Sequence, residues 1–461
     1  MIKHPKYIFI LFIIITSLVS ASDTLYLTLN DAVDLALHNN KSIMIAQEKV
    51  KAQSAGKNMS RASFLPSVNL SGTYTRLAEA QGFPMTISIP GKISFPVYDL
   101  SGNIIGFTES IPTTIATITE TLNIVNKDNY YLGASVTQTL FTWGKLVNAY
   151  QIAGLSLDIE KESYQKALED LKLQVTQSFY QTMLADKGVK LMTESYAQMQ
   201  RHTNQIDKLY QSGMVGQLDL LRAKVQLSNF RSQLIRIENT RTIAYSALKM
   251  VLGIDTETPV GLQGEYSFDP YQIDLDEAIT IALQERPDLQ NMRRTVSIAQ
   301  KGLAIQRTAN LPSIFSAFNY SYSKPLSMTQ PDWGPNWNAT IGASMPLSLG
   351  GANFYKMKQS KAQLNQVKLG LAMLEDAVKL DVQSNYFNFE QEKEILSYQA
   401  ENVQTAEQAL TLAEEKYRNG LITNLEFIDT QLALTQAKFE QLNSIANCII
   451  SKAKLLNAIG Q

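Results

Sequence analysis

Side chains able to make or break bonds are sparse along this chain. Three histidines (His4, His38 and His202) and a single cysteine, Cys448, are scattered through 461 residues, so no histidine–cysteine set has metal-ligand spacing. No nucleophile sits at a readable spacing from a base, and neither an enzyme activity nor a cofactor is expected. Gly350-Gly351 ahead of a helical stretch lacks the third glycine and the strand–helix–strand setting of a dinucleotide site. Cys448 lies in a helical pattern, has no internal partner, and reads as a small core residue. Glu426 and Asp429 are three apart and hence on one helix face. With 42 acids against 41 bases the net charge is −1, which argues against a nucleic-acid partner.

The elements that carry these residues form a repeated frame behind an export signal. Lys3 and Lys6 precede an apolar run from Tyr7 to Val19, and Val19-Ser20-Ala21 offers small residues for cleavage. The run is shorter than the roughly 20 residues of a spanning helix. A cleavable signal peptide over 1–21 is therefore expected, a retained anchor being the other reading. Leu27 to Tyr74 aligns without gaps on Ile273 to Tyr320 at a shift of 246; Leu65-Pro66-Ser67 falls on Leu311-Pro312-Ser313. A second block aligns at a shift of 207, where Leu140, Gly144, Tyr210, Gly213 and Gly253 meet Leu347, Gly351, Tyr417, Gly420 and Gly460. The difference of 39 residues is an insertion in the first copy between Tyr74 and Thr139. We expect a first repeat over 22–253, a linker over 254–272 and a second repeat over 273–461.

Each repeat reads as a strand hairpin followed by a long helical hairpin. Val68, Leu70 and Tyr74 alternate with polar residues, as do Leu132, Ala134 and Val136, then Phe318, Tyr320 and Tyr322, then Ile341, Ala343 and Met345. Strands are expected at about 64–76, 131–143, 312–323 and 337–348. Aromatics near their ends (Tyr130, Tyr131, Phe141, Trp143, Trp333, Trp337) suit an interfacial girdle. A soluble sandwich with one wet face explains the alternation alone equally well. Four strands cannot close a membrane barrel, whose smallest forms have about 8, and open edges in lipid leave backbone groups unpaired. A membrane reading thus requires an oligomer. From Lys145 to Ser212, and again from Ala352 to Arg418, proline is absent and apolar residues recur three or four apart. Helical hairpins are expected over 145–252 and 352–459, each turning at a glycine, Gly213 or Gly420. The insertion, roughly 77–129, is expected to be an external loop or a strand extension.

This order of elements resembles the TolC-like outer-membrane efflux protein family, over essentially the whole mature chain. Its local marks are Leu29-Asn30-Asp31-Ala32, Leu275-Asp276-Glu277-Ala278, Glu285-Arg286-Pro287-Asp288-Leu289 and Pro346-Leu347-Ser348-Leu349-Gly350-Gly351. The first copy departs at Lys41-Ser42, where the second has Pro287-Asp288. The resemblance implies a mainly α protein with a β-barrel: a homotrimer whose 12-stranded barrel in outer-membrane lipid continues into a periplasmic α-helical barrel. It implies an exit duct of a tripartite efflux pump or a type I secretion system. The implied partners are a periplasmic adaptor (membrane fusion) protein and an inner-membrane transporter of RND, ABC or MFS type. A scaffold of envelope coiled coils without pore activity is the alternative. Matched positions imply a periplasmic gate at Asp219, Tyr417, Glu426 and Asp429, for which acids offsetting a helix N-terminus are the plain structural reading. Ile422 stands where some members carry an arginine that helps hold the entrance closed. The tips Gly213, Met214, Val215, Gly420, Leu421 and Ile422 are the implied adaptor-docking surface, or simply capping and packing.

Overall fold

The computed structural model describes residues 24–327, 330–347 and 350–461. The expected signal peptide, and Ser348-Leu349 of the Pro-Leu-Ser-Leu-Gly-Gly mark, lie outside the described residues. In chain order the elements are β1 (Leu25–Leu27), α1 (Leu29–Asn39), α2 (Lys41–Ala62), β2 (Ser67–Arg76), β3 (Gln81–Ile93), β4 (Pro96–Tyr98), β5 (Ile104–Phe107), β6 (Ile111–Val125), β7 (Asp128–Phe141), α3 (Lys145–Gln211) and α4 (Gln217–Leu252). They continue with β8 (Val260–Leu262), α5 (Leu275–Glu285), α6 (Pro287–Arg307), β9 (Ser313–Lys324), β10 (Gly334–Ser344), α7 (Ala352–Arg418) and α8 (Asn424–Ile459). The paired helices α3 and α7 have 67 residues each, and α4 and α8 have 36 each. The chain folds as two units, one of residues up to Ser54, Leu155–Ile298 and Leu364–Gln461, the other of Ala55–Gly154 and Ala299–Gln363.

The first unit is helical. Near the ends of α4 and α8 that lie far from the turns, two apolar clusters use equivalent positions. Ala32, Ala36, Leu171, Val175, Leu248 and Leu252 in one match Ala278, Ala282, Val378, Val382, Leu455 and Ile459 in the other. Alanines there let α1 and α5 lie close, and each large aliphatic fully buried contributes about 1.5–3 kcal/mol. Thr28 caps α1 in a reciprocal box with Asp31, and Asp274 caps α5. Gly253 and Gly460 close α4 and α8 in the left-handed region, and a Cβ on Gly253 would sit 2.6 Å from the Asn39 carbonyl oxygen. One small sheet escapes the sequence pattern: β1 pairs in parallel with β8, within the stretch expected to be a plain linker. Three residues are too few for a periodicity to register.

The second unit holds an antiparallel sheet in the order β10-β9-β7-β2. Its register places Val68, Leu70 and Tyr74 beside Val136, Ala134 and Tyr130, then Phe318 and Tyr320 beside Ala339 and Trp337. One face is thus aliphatic and aromatic across all four strands. The other carries Asn69, Ser71, Ser135, Asn319, Ser321 and Asn338, and Asn319 Nδ2 donates to Asn338 Oδ1 at 2.9 Å. Leu70 is 76% exposed and Ile341 79%, so none of the described residues covers the apolar face there.

Strand ends differ from the sequence pattern for local reasons. β2 starts at Ser67 because Phe64 and Leu65 close the last turn of α2, donating to the Arg61 and Ala62 carbonyls. β7 stops at Phe141; Trp143 and Gly144 take positive φ, and the Trp143 indole donates to the Pro312 carbonyl at 2.9 Å. β10 runs from Gly334 to Ser344, short of 348, because Pro346 has no N–H to add to a ladder. The insertion extends the first hairpin: β3 pairs antiparallel with β6, and β4 with β5.

Candidate functional site

The candidate site is where the two helical hairpins turn. α3 ends in a Schellman turn, Gly213 N–H donating to the Tyr210 carbonyl and Met214 N–H to Leu209. α7 ends the same way, Gly420 donating to Tyr417 and Leu421 to Lys416. Both glycines have φ near +70°, where a side chain is strained. The turns leave Met214 and Leu421 exposed at 73% and 71%. Val215 packs instead toward Ile206, Leu220 and Ala223, and Ile422 toward the cluster of Met199, Phe230, Phe427 and Ile428. The six tip positions therefore divide: two face outward, two pack inward and two shape the turns.

The four expected gate residues also divide. Glu426 is the third helical residue of α8 and closes a reciprocal box with Thr423. Its Oε2 accepts from the Thr423 N–H at 2.7 Å and hydroxyl at 2.9 Å, while Thr423 Oγ1 accepts from Glu426 N–H at 3.2 Å. The Thr423 backbone and side-chain hydrogen bonds hold this carboxyl below the usual range. Asp429 is exposed and lines a groove of about 400 Å³ with Leu218, Leu221, Arg222, Leu425 and Leu432. Asp219 lies in the first turn of α4. Burial, and then the charge of Asp219, push the Tyr417 phenol up, although no hydrogen bond joins the pair among the described residues.

The structure adds two residues that sequence reasoning passed over. His202 of α3 is 6% exposed, and its Nε2 lies 2.7 Å from Asn424 Oδ1 at the start of α8. The Asn424 amide nitrogen donates to the Asp219 carbonyl at 3.1 Å. That bond orients the amide, so Oδ1 faces the ring and His202 Nε2 must carry the proton. The imidazole lies against Phe427, with centroids 4.3 Å apart, and edge-on to Tyr417 at 5.4 Å. Burial lowers the His202 pKa, against the effect of the Asn424 bond. One node thus joins α3, α4, α7 and α8. A readable signal existed: His202 interrupts an apolar seam, and seven residues before it Ser195 does the same. What the pattern lacks is the partner, 222 residues away.

Among the described residues no group of three or more His, Cys, Asp or Glu is placed to hold a metal ion, and no helix is long and apolar enough to cross a membrane. Cys448 is fully buried and unpaired, its thiol pushed up to about 11 by burial.

Comparison with known proteins agrees with the fold. The sequence model of the family described as outer membrane efflux protein matches residues 32–254 and 278–461. The probable efflux pump outer membrane protein TtgC of Pseudomonas putida is 22% identical over 94% of this chain and 82% of its own length. Outer membrane protein TolC of Salmonella enteritidis is 22% identical over 73% of this chain and 70% of its own. Among solved structures, the Campylobacter jejuni CmeC outer membrane channel superposes with a TM-score of 0.74 at 16% identity, covering 94% of this chain and 85% of that one. VceC from Vibrio cholerae gives 0.72 at 15% identity, covering 94% and 96%.

Proposed function

Since the chain belongs to the outer membrane efflux protein family, we propose that three copies close into a single exit duct serving a tripartite efflux pump or a type I secretion system. The family is one of outer-membrane efflux channels, not of enzymes. The observation that carries the proposal is the sheet: one apolar face, one polar face, and open edges at β2 and β10. Edges are tolerated in lipid only when paired, and three such sheets supply the 12 strands of a closed barrel. The repeats 22–253 and 273–461, joined by 254–272, then contribute one strand hairpin and one helical hairpin each. The polar face lines the barrel lumen, the apolar face meets lipid, and the long helices form the periplasmic tunnel. Detergent-extracted protein is expected to run as a trimer and to conduct ions in a planar bilayer. A non-conducting soluble monomer would sink the proposal and favour the scaffold reading.

At the tunnel entrance Asp219, Tyr417, Glu426 and Asp429 form the gate. Repeated by symmetry, Glu426 and Asp429 make stacked acidic rings that favour cations. Met214 and Leu421, the exposed tip residues, supply the apolar contact for a periplasmic adaptor, while Gly213, Val215, Gly420 and Ile422 give the tips their shape. An inner-membrane transporter of RND, ABC or MFS type supplies the energy. Replacing Met214 and Leu421 by Glu is expected to abolish co-purification of an adaptor while leaving the trimer intact; retained co-purification places docking elsewhere.

A further inference from the structure

The interface between the two helical hairpins of one chain is polar where it should be greasiest. Along the seam of α3 against α8, Ser195 Oγ meets Thr435 Oγ1 at 3.2 Å and His202 meets Asn424 at 2.7 Å. Between them on α8 stands Gln431, one heptad beyond Asn424 and only 2% exposed. Neither end of its amide finds a hydrogen-bond partner among the described residues. A buried amide with no partner disfavours the arrangement that buries it, because water would satisfy both ends. The seam is therefore closed against a bias to open, and the His202–Asn424–Asp219 chain of hydrogen bonds opposes that bias.

We infer that His202 and Asn424 form a proton-sensitive latch, which holds the two hairpins of one chain together at their tips while the imidazole is neutral. The inference rests on the channel reading, and it concerns residues other than the acidic gate. The groups that face the ring are Arg201 from its own helix, Glu414, Tyr417 and Arg418 from α7, and Asp219 from α4; α8 contributes the neutral Asn424 and Phe427. Glu414 is shared with Arg418 at 4.0 Å. Among the described residues no carboxylate hydrogen-bonds the ring: Asp219 reaches it only through its backbone carbonyl, which holds Asn424, and Glu414 is drawn to Arg418. The bond from Nε2 to Asn424 Oδ1 survives protonation. An imidazolium held against Phe427 and Tyr417, however, lacks the water that hydrates it once the seam opens, so protonation favours the open seam. The latch is at full strength above the ordinary imidazole value of 6.5 and weakens as pH falls below it, since the released, hydrated ring binds the proton more readily.

The test uses the full-length trimer in planar bilayers, its assembly checked by mass, with conductance read at about pH 7.5 and about pH 5.5. Wild-type conductance is expected to rise about threefold or more on acidification. His202→Gln keeps a donor but cannot titrate, and should stay low at both values; Asn424→Ala, which removes the acceptor, should be high at both. Gln431→Leu removes the orphan amide and should move the midpoint of the rise to lower pH. A conducting trimer whose wild type ignores pH overturns the latch and leaves the channel standing. So does a pH response unchanged in His202→Gln, or an unmoved midpoint in Gln431→Leu. A chain that forms no conducting trimer overturns the channel reading and the latch with it.

Discussion

Glu426 illustrates how much one carboxylate can be asked to do. The family resemblance implies a gate at this residue, and its hydrogen bonds to Thr423 make it a helix cap. The two roles separate by substitution. A capping box accepts Gln at this position as well as Glu, so Glu426→Gln with Asp429→Asn is expected to keep α8 stable and lower cation preference. Reversal potentials in a salt gradient would decide, and unchanged selectivity returns both residues to plain helix-end roles. Glu426→Ala should in addition weaken the cap, visible as faster amide exchange in the first turn of α8. At this same scale the sequence was only partly legible. Thr423 and Glu426 are three apart, so their box is local and readable, whereas His202 and Asn424 belong to different repeats.

Arg286 shows what an element needs in order to stay docked. It stands between α5 and α6, where its guanidinium bonds Asp288 at 2.7 Å, Asp381 of α7 at 2.6 Å and the Ala458 carbonyl of α8 at 3.0 Å. The Glu-Arg-Pro-Asp-Leu mark is thus a clamp on the second repeat. The first copy solves the same problem with Asn40, whose amide donates to the Val251 carbonyl while its oxygen accepts from Ser42. Arg286→Ala should destabilise the chain by about 3 kcal/mol, as for breaking a largely buried pair, in a denaturant titration. Burial would raise the Asp288 pKa, and the Arg286 contact more than offsets this, so the net shift is downward. That contribution is therefore present at neutral pH and lost as pH falls below the ordinary carboxyl value of 3.8. The stability gap between wild type and Arg286→Ala should accordingly narrow in acid; a constant gap would mean the clamp is packing rather than charge.

The four-stranded sheet leaves its apolar face exposed and its outer edges at β2 and β10 unpaired among the described residues. Two neighbouring substitutions on β10 test its two faces. Ile341→Lys puts a charge on the apolar face and should cost about 2–4 kcal/mol if that face meets the middle of the bilayer, depleting the trimer from outer-membrane fractions. Asn338→Lys, on the opposite face, should assemble normally and shift only ion selectivity. Equal tolerance of both would indicate that neither face meets lipid.

By itself the sequence determined whatever depends on near neighbours along the chain. Period two in Thr340–Met345, period three to four in Leu171–Phe179 and a glycine after each long helix state the strands, the helices and their turns. The gap-free shifts of 246 and 207 state that the frame recurs, and the tally of four strands states that one chain cannot close a barrel. Tertiary structure decided which face each strand shares with its neighbours, that β1 pairs with β8, and that Val215 and Ile422 pack inward while Met214 and Leu421 face out. It alone brought His202 to Asn424 across 222 residues. The physical reason is the same in each case. Backbone propensity and amphipathic period act within a few residues, but a buried polar group is defined by its partner, and the partner is chosen by how whole helices pack.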